Sequence, residues 1–383
     1  IPVKPAARLR LRAAVRARRC GLRHGARHGA VFRRPGRALL ASLCGGGDRP
    51  VSVPIVAVER VSKCFVRPRG LAERAAAMLG AASRATTVHA LDGIDLAIGE
   101  REVVGLVGES GCGKSTLGRI VANRLAPTEG RVAFRGVMPA ELAPAARRQT
   151  TRKLQMIFQD PMASLNPRMR VGDMIGEAPL VHGIVAKADI GDYVDAMLVR
   201  VGLDPSYRSR YPHQLSGGQR ARVGIARALA VQPAFLVCDE AVAALDVSIQ
   251  AQVLNLFMRL RAELGLAYLF ISHNLGVVEH IADRVVILYL GRVVEIAPTE
   301  DLFGAPNHPY TQALLANVPR LEAGKRHFAA VAGEIPSPFA PPSGCHFHPR
   351  CPSAMARCRT DRPALAEIAP GHFSACFLNA ASG

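Results

Sequence analysis

No apolar run in this sequence approaches the roughly 18 residues that a membrane-spanning helix requires, so the chain is not expected to cross a bilayer. Acid is nearly missing from its start. Residues 1–53 carry 13 Lys/Arg and one carboxylate, Asp48, whereas the remaining 330 residues carry 36 basic and 29 acidic side chains. The net charge of +19 is therefore mostly a property of this head, and the mildly basic body gives no charge argument for a nucleic-acid partner. The head also lacks a sustained hydrophobic period. Its like charges repel and it has little apolar surface to bury, so residues 1–53 are expected to be a disordered tail, with the body starting near Ile55. Two other readings stay open. "FRRPGRALLASLC" imitates a twin-arginine signal, although its apolar stretch Ala38–Leu43 is shorter than the usual 7–15 or so residues. The initial Met is also missing, which fits a misassigned start.

What is present is a phosphate loop. "REVVGLVGESGCGKSTLGRIVANRL" reads as an apolar strand, a glycine loop and a helix, and Gly108, Gly113, Lys114 and Ser115 fall at the P-loop spacing. Glycines let backbone N–H groups turn inward around phosphate oxygens, and the following helix adds its positive end. Gly108, Glu109, Ser110, Gly111, Cys112, Gly113, Lys114, Ser115 and Thr116 are thus candidates for nucleotide binding. Lys114 would reach the β- and γ-phosphates, and the Ser115 hydroxyl would ligate Mg²⁺.

Two further strands end in chemistry. "AFLVCDE" delivers Asp239, suited to the Mg²⁺ shell, and Glu240, placed to orient or deprotonate an attacking water. "AYLFIS" delivers His273, a candidate contact to the γ-phosphate. The stretch "AQVLNLFMRLRAELG" spaces Val253, Phe257, Leu260 and Leu264 as one helical stripe, read as core. "HQLSGGQRAR" raises a separate question. It is a second glycine-rich helix start, with Ser216 at the cap and free N–H groups behind it, yet the chain already holds a phosphate loop.

The order P-loop, "FQD", "LSGGQ", "CDE", "ALD", "SH" resembles that of ABC-transporter ATPases, over about residues 55–378. The resemblance implies an α/β fold: a P-loop NTPase of ABC type with a RecA-like core, an antiparallel β subdomain, an inserted α-helical subdomain and a small loop-rich C-terminal module. It places the ATPase domain at 54–303, the helical subdomain at about 161–228 and the C-terminal module at 304–383. It also answers the question of the second loop. In the family two subunits pack head to tail, so Ser216, Gly217, Gly218 and Gln219 would bind a nucleotide held by the partner's P-loop, and Asp246 would act at the dimer interface. Phe65 would stack on adenine. Gln159 would touch Mg²⁺ and the attacking water and link the site to a permease.

"MIFQDPMASLNPRMRVGDMI", "YPHQLSGGQRARVGIARAL" and "HPYTQALL" narrow the resemblance to dipeptide/oligopeptide importer ATPases, and "STLGR" with "SLNPR" to the second of their two paralogous ATPases. The implied cofactors are ATP and Mg²⁺. The implied partners are a paralogous ATPase or a second copy, two transmembrane permease subunits and, indirectly, a solute-binding protein. The implied place is peripheral, on the cytoplasmic face of the inner membrane. The family pattern is broken at Ala243, Ala241, Asn274 and Ala221, where Ser, Pro, Asp and Gln are usual; none is a phosphate or metal ligand, and the hydroxyl lost at Ala243 puts interface coupling in question.

Cys345, Cys351, Cys358 and Cys376 stand at C-x5-C-x6-C-x17-C, in a proline-rich stretch read as loop. Their chemistry suits a [4Fe–4S] cluster or zinc, and four buried thiols without metal are the third reading. The C-terminal module of the peptide-importer ATPases, some of which carry a [4Fe–4S] cluster, resembles this tail. Two rival functions remain. A soluble ABC ATPase working on nucleic acid or ribosomes would be expected to carry two cassettes or a long coiled-coil insertion. A regulatory metal-binding protein would be expected to have lost Lys114, Asp239, Glu240 or His273.

Overall fold

The structure is a computed structural model and describes residues 53–66, 87–160, 164–317 and 333–381. The head read as a disordered tail lies outside the described residues, apart from Val53. In chain order the chain forms β1 (Val56–Val66), β2 (Thr87–Ile98), β3 (Val103–Val107), α1 (Lys114–Val121), β4 (Glu129–Phe134), α2 (Pro144–Lys153) and β5 (Leu154–Ile157). Next come α3 (Val171–Val181), α4 (Ile190–Arg200), α5 (Gly217–Leu229), β6 (Phe235–Asp239), α6 (Val247–Leu264), β7 (Ala267–Ile271) and α7 (Leu275–Ile281). The last are β8 (Arg284–Tyr289), β9 (Arg292–Pro298), α8 (Thr299–Gly304), α9 (Pro309–Ala316), α10 (Ala356–Thr360), β10 (Ala366–Ala369) and β11 (His372–Ser374).

Two sheets result. One is antiparallel, in the order β2-β1-β4. The other has eight strands in the order β10-β11-β9-β8-β3-β7-β6-β5, of which β8, β3, β7, β6 and β5 are parallel. The parallel strands read as unbroken apolar runs because both faces are covered, and every residue of β3, β6, β7 and β8 is buried. Alternation still sorts them. Val237, Leu269 and Ile271 pack with α1 and the antiparallel sheet, while Leu236, Cys238, Tyr268 and Phe270 pack with α3, α4, α5 and α6.

The helical stripe on α6 is where this second core layer closes. Val253, Phe257 and Leu260 are fully buried, and Phe257 meets Tyr268 and Phe270 edge-on at centroid distances of 5.8 and 5.9 Å. Leu264 departs from the expected stripe. It ends the helix just before Gly265 and is 39% exposed.

The C-terminal segment is not only loop. Its β10–β11 hairpin joins the ATPase sheet, with Phe373 opposite Ile296 and Ser374 opposite Glu295 on β9. Phe347 from the same segment packs with Tyr289 of β8 and Tyr310 of α9 in a third core cluster. At the join, buried Glu295 accepts from the main-chain N–H groups of Asn307 (2.7 Å) and His308 (2.9 Å) and meets His372 Nε2 at 2.7 Å.

Candidate active site

Parallel strands point their carboxyl ends the same way, and the sequence-predicted groups arrive there together. The sheet order β3-β7-β6-β5 sets side by side the P-loop after β3, His273 after β7, Asp239 and Glu240 at the end of β6, and Gln159 after β5. The loop turns into α1 at Gly113, whose φ of 110° suits glycine and where an added Cβ would collide with the Ala90 carbonyl. Lys114 is 5% exposed, and its Nζ donates to the carbonyls of Gly108 (2.7 Å) and Glu109 (2.9 Å). Ser110 and Gly111 are exposed at the loop's rim, whereas Cys112 is buried beneath it. Thr116 is partly buried on the first turn of α1.

Two polar pairs occupy the floor. The Ser115 hydroxyl donates to Asp239 Oδ1 at 2.9 Å. Burial pushes the Asp239 carboxyl above its usual range, against the Ser115 hydrogen bond and the nearby Arg119 and Lys114 charges. Hard oxygen donors of this kind, one of them a carboxylate that burial leaves in want of positive charge, fit Mg²⁺. Glu240 is held from two sides: Gln159 Nε2 donates to Oε2 at 2.6 Å, and His273 Nδ1 lies 3.3 Å from Oε1. Its backbone has φ 48°, a left-handed conformation uncommon for a residue with a side chain. Gln159 thus stands beside the carboxylate in this structure, and its amide N–H is spent on Glu240.

The signature residues sit apart from these contacts. Ser216 Oγ accepts from the Gln219 N–H (3.3 Å) and Gln219 Oε1 accepts from the Ser216 N–H (2.9 Å), a reciprocal cap at the start of α5. Gln219 Nε2 also donates to the Tyr207 hydroxyl at 3.0 Å. Ser216 and Gly217 are exposed, and Gly218 is buried where an added Cβ would run into Ile249 of α6. Asp246, at the cap of α6, is exposed beside Val247, which is 83% exposed. Phe65, at the end of β1, keeps its ring 42% exposed.

A family model for ABC transporters matches residues 91–243, and one for the C-terminal region of oligopeptide/dipeptide transporters matches residues 294–358. The putative oligopeptide transport ATP-binding protein YkfD of Bacillus subtilis is 52% identical over 303 residues, covering 78% of this chain and 92% of that relative. The chain belongs to the oligopeptide/dipeptide group of ABC transporter ATP-binding subunits. A putative peptide import ATP-binding protein of Brucella ovis is 50% identical over 295 residues, covering 77% of this chain and 93% of that one. Among solved structures, cbiO1 of Clostridium perfringens, part of the cbiONQ transporter complex, is similar with a TM-score of 0.54 and 27% identity, over 66% of this chain and 91% of that one. The ATP-binding cassette MJ0796, a dimer bound to ADP and Pi after hydrolysis, has a TM-score of 0.53 and 26% identity, over 64% of this chain and 98% of that one.

As an ABC subunit the chain is an ATPase whose hydrolysis is coupled to transport, and the family uses ATP with Mg²⁺. Among the described residues no helix is long and apolar enough to cross a membrane. One departure from the family pattern has a plain structural account: the Asn274 side chain caps α7, accepting from the N–H groups of Gly276 (3.0 Å) and Val277 (3.4 Å), a task Asp performs equally. Ala221 and Ala241 are both buried at 5% exposure, while Ala243 is exposed.

All four C-terminal cysteines line one cavity of about 10 Å³, with His308, His348, Met355 and Phe377 in its wall. They share it without converging: among the described residues no set of three or more His, Cys, Asp or Glu is arranged to hold a metal ion. Burial pushes the Cys345, Cys351 and Cys376 thiols upward, and the neighbouring sulfurs add to that push. As placed, the thiols do not fit the expected cluster or zinc.

Sequence reasoning missed two residues that touch the loop. Arg350 and Tyr310, from the C-terminal segment, both grip Glu109. "HPYTQALL" marked Tyr310 only as part of a family pattern, and Arg350 was overshadowed by the cysteines around it.

Proposed function

We propose that this subunit energises uptake of di- or oligopeptides from the cytoplasmic face of the membrane. It would be the second of two paralogous ATPases, bound to two permease subunits that receive cargo from a solute-binding protein. The relatives at about half identity are named as oligopeptide or peptide transport proteins, and that is the support for the cargo class. In this reading residues 54–303 form the ATPase domain, with the helical part at about 161–228 meeting the permease and 304–383 forming an appended module.

The observation that carries the site is the pairing at the carboxyl ends of adjacent strands, Ser115 with Asp239 and Gln159 with Glu240 and His273. The residues from Gly108 to Thr116 bind the phosphates, with Lys114 leaving the loop carbonyls for the β/γ oxygens. Ser115, Asp239 and Gln159 would hold Mg²⁺, whose charge would offset that of the phosphates. Glu240 takes the proton of the attacking water, and His273 and Gln159 keep its carboxylate aimed. Phe65 offers its exposed ring to adenine. Ser216, Gly217, Gly218, Gln219 and Asp246 act on the nucleotide of the neighbouring ATPase, and the exposure of Ser216, Gly217 and Asp246 supports this. The four-cysteine cavity is given no cofactor in this reading, since its thiols as placed do not fit a [4Fe–4S] cluster or zinc.

The test is the assembled transporter in proteoliposomes with its solute-binding protein. Peptide-loaded binding protein is expected to raise ATP turnover well above the unloaded level. Stimulation by a non-peptide solute alone would overturn the cargo assignment and leave the ATPase standing.

A further inference from the structure

In most P-loops the residue after the first glycine is a spacer. Here every polar group of that residue is taken. The Glu109 N–H donates to the Tyr310 hydroxyl at 3.0 Å, and its carbonyl accepts from Lys114 Nζ at 2.9 Å. Its carboxylate takes a forked pair from Arg350, Nη1 to Oε2 at 2.7 Å and Nη2 to Oε1 at 3.0 Å. Such two-pronged guanidinium pairs fix orientation as well as charge. The Arg350 side chain is 4% exposed and that of Glu109 20%, so the pair is screened far less than a surface ion pair.

The anchors are themselves immobilised. Tyr310 is fully buried, and Tyr289, Tyr310 and Phe347 form a triangle of rings with centroids 4.7, 5.3 and 5.3 Å apart. Arg350 closes the short 3₁₀ turn His348–Arg350 and precedes Cys351, so it rides on the turn between two of the cavity's cysteines. A continuous path therefore runs from the cysteine-lined turn through Arg350 and Glu109 to the P-loop lysine.

We infer that Arg350 and Tyr310 are positioning residues of the ATP site, by which the C-terminal module sets the conformation of the phosphate loop. They touch no phosphate themselves. They hold the backbone of Glu109 so that the N–H groups after it face the nucleotide without first having to be ordered. Preorganisation of this kind improves affinity by cutting the cost of ordering the loop.

The purified full-length chain, with ATP and Mg²⁺ as the probe, tests this. Arg350→Met keeps much of the side chain's bulk and removes the fork. It is expected to raise the Kd for ATP roughly tenfold, about 1.4 kcal/mol, and to speed hydrogen exchange in the amides of residues 108–115. Tyr310→Phe removes one hydroxyl and should weaken ATP a few-fold with the same exchange signature. Glu109→Gln should resemble Arg350→Met, and the double variant should be little worse than either single one, because both break the same link. Arg350→Lys, which keeps the charge without the fork, should fall between wild type and Arg350→Met. Arg357→Ala, an exposed site on the same module, should leave the Kd unchanged. Wild-type affinity and exchange in Arg350→Met would overturn the assignment, as would additive effects in the double variant or an equal loss in Arg357→Ala. If Arg350→Met does not fold, Tyr310→Phe decides: wild-type loop exchange in it would sink the idea.

Discussion

Two glycine-rich helix starts in this chain look alike in sequence and differ in what surrounds them. At the P-loop, Lys114 is taken up by the loop's own carbonyls, while other elements of the chain take Ser115, through Asp239, and Glu109, through Tyr310 and Arg350. At the signature, Ser216 and Gln219 hydrogen-bond to each other, and Ser216 and Gly217 face solvent. One helix start is built into a finished half-site. The other is closed by its own cap and by the Gln219 bond to Tyr207, and presents Ser216 and Gly217 on an exposed surface. A surface ordered by its own cap yet left open suits an arriving ligand, since little ordering cost remains when the ligand docks.

The largest expected effect breaks the finished half. Glu240→Gln preserves shape and removes basicity, so hydrolysis should fall by about 10²–10⁴-fold while ATP still binds. The substituted amide can also keep a hydrogen bond to Gln159 after that side chain flips. Steady-state phosphate release with a parallel binding isotherm measures both quantities. Hydrolysis at the wild-type rate would remove Glu240 from the role of base.

A second effect sharpens the contrast. Ser216→Arg should leave ATP binding at the chain's own Lys114 unaltered and stop turnover at the neighbouring ATPase's P-loop. Site-resolved nucleotide trapping in the assembled complex distinguishes the two sites. If the block falls instead on the P-loop of the substituted chain, the signature does not act across an interface. Ala243 lacks the hydroxyl usual at its place, so the trapped ADP is expected to be unequal between the two sites even before substitution.

Much of this was legible because the chemistry is local. The P-loop spacing, the carboxylates closing "AFLVCDE" and the serine cap of "LSGGQ" are short patterns whose backbone geometry follows from the residues themselves. Their meeting at one sheet edge follows from parallel strands, which the apolar runs imply. What stayed hidden is long-range. Arg350 lies 241 residues from Glu109, and no period or spacing joins them. The prolines that mark loop lie between residues 336 and 352, and beyond them "AEIA" and "HFS" are too short to show alternation, so the β10–β11 hairpin and its pairing to β9 are a tertiary gain. Leu264 fitted the helical period of α6, but a period does not say which of its turns are covered. The cysteine spacing suggested a ligand set, whereas the thiols line a cavity without converging, and spacing along the chain carries no side-chain direction.

The smallest effect concerns the caps themselves. Asn274 and Ser216 both cap helices at the edge of the site, and their bonds differ. Asn274 Oδ1 accepts two N–H groups, at 3.0 and 3.4 Å, whereas Ser216 Oγ accepts one at 3.3 Å and the rest of that cap is supplied by Gln219. Loss of a good cap costs about 1 kcal/mol, while a long single bond backed by a second residue should cost only a few tenths. Asn274→Ala is therefore expected to lower the thermal midpoint of the isolated chain measurably more than Ser216→Ala. In the assembled transporter the order should reverse for turnover, with Ser216→Ala the more damaging, because the Ser216 hydroxyl is then needed by a ligand rather than by its own helix. A Ser216→Ala chain as destabilised as Asn274→Ala would mean that the hydroxyl serves the fold first, and the difference between the two helix starts would shrink to one of exposure alone.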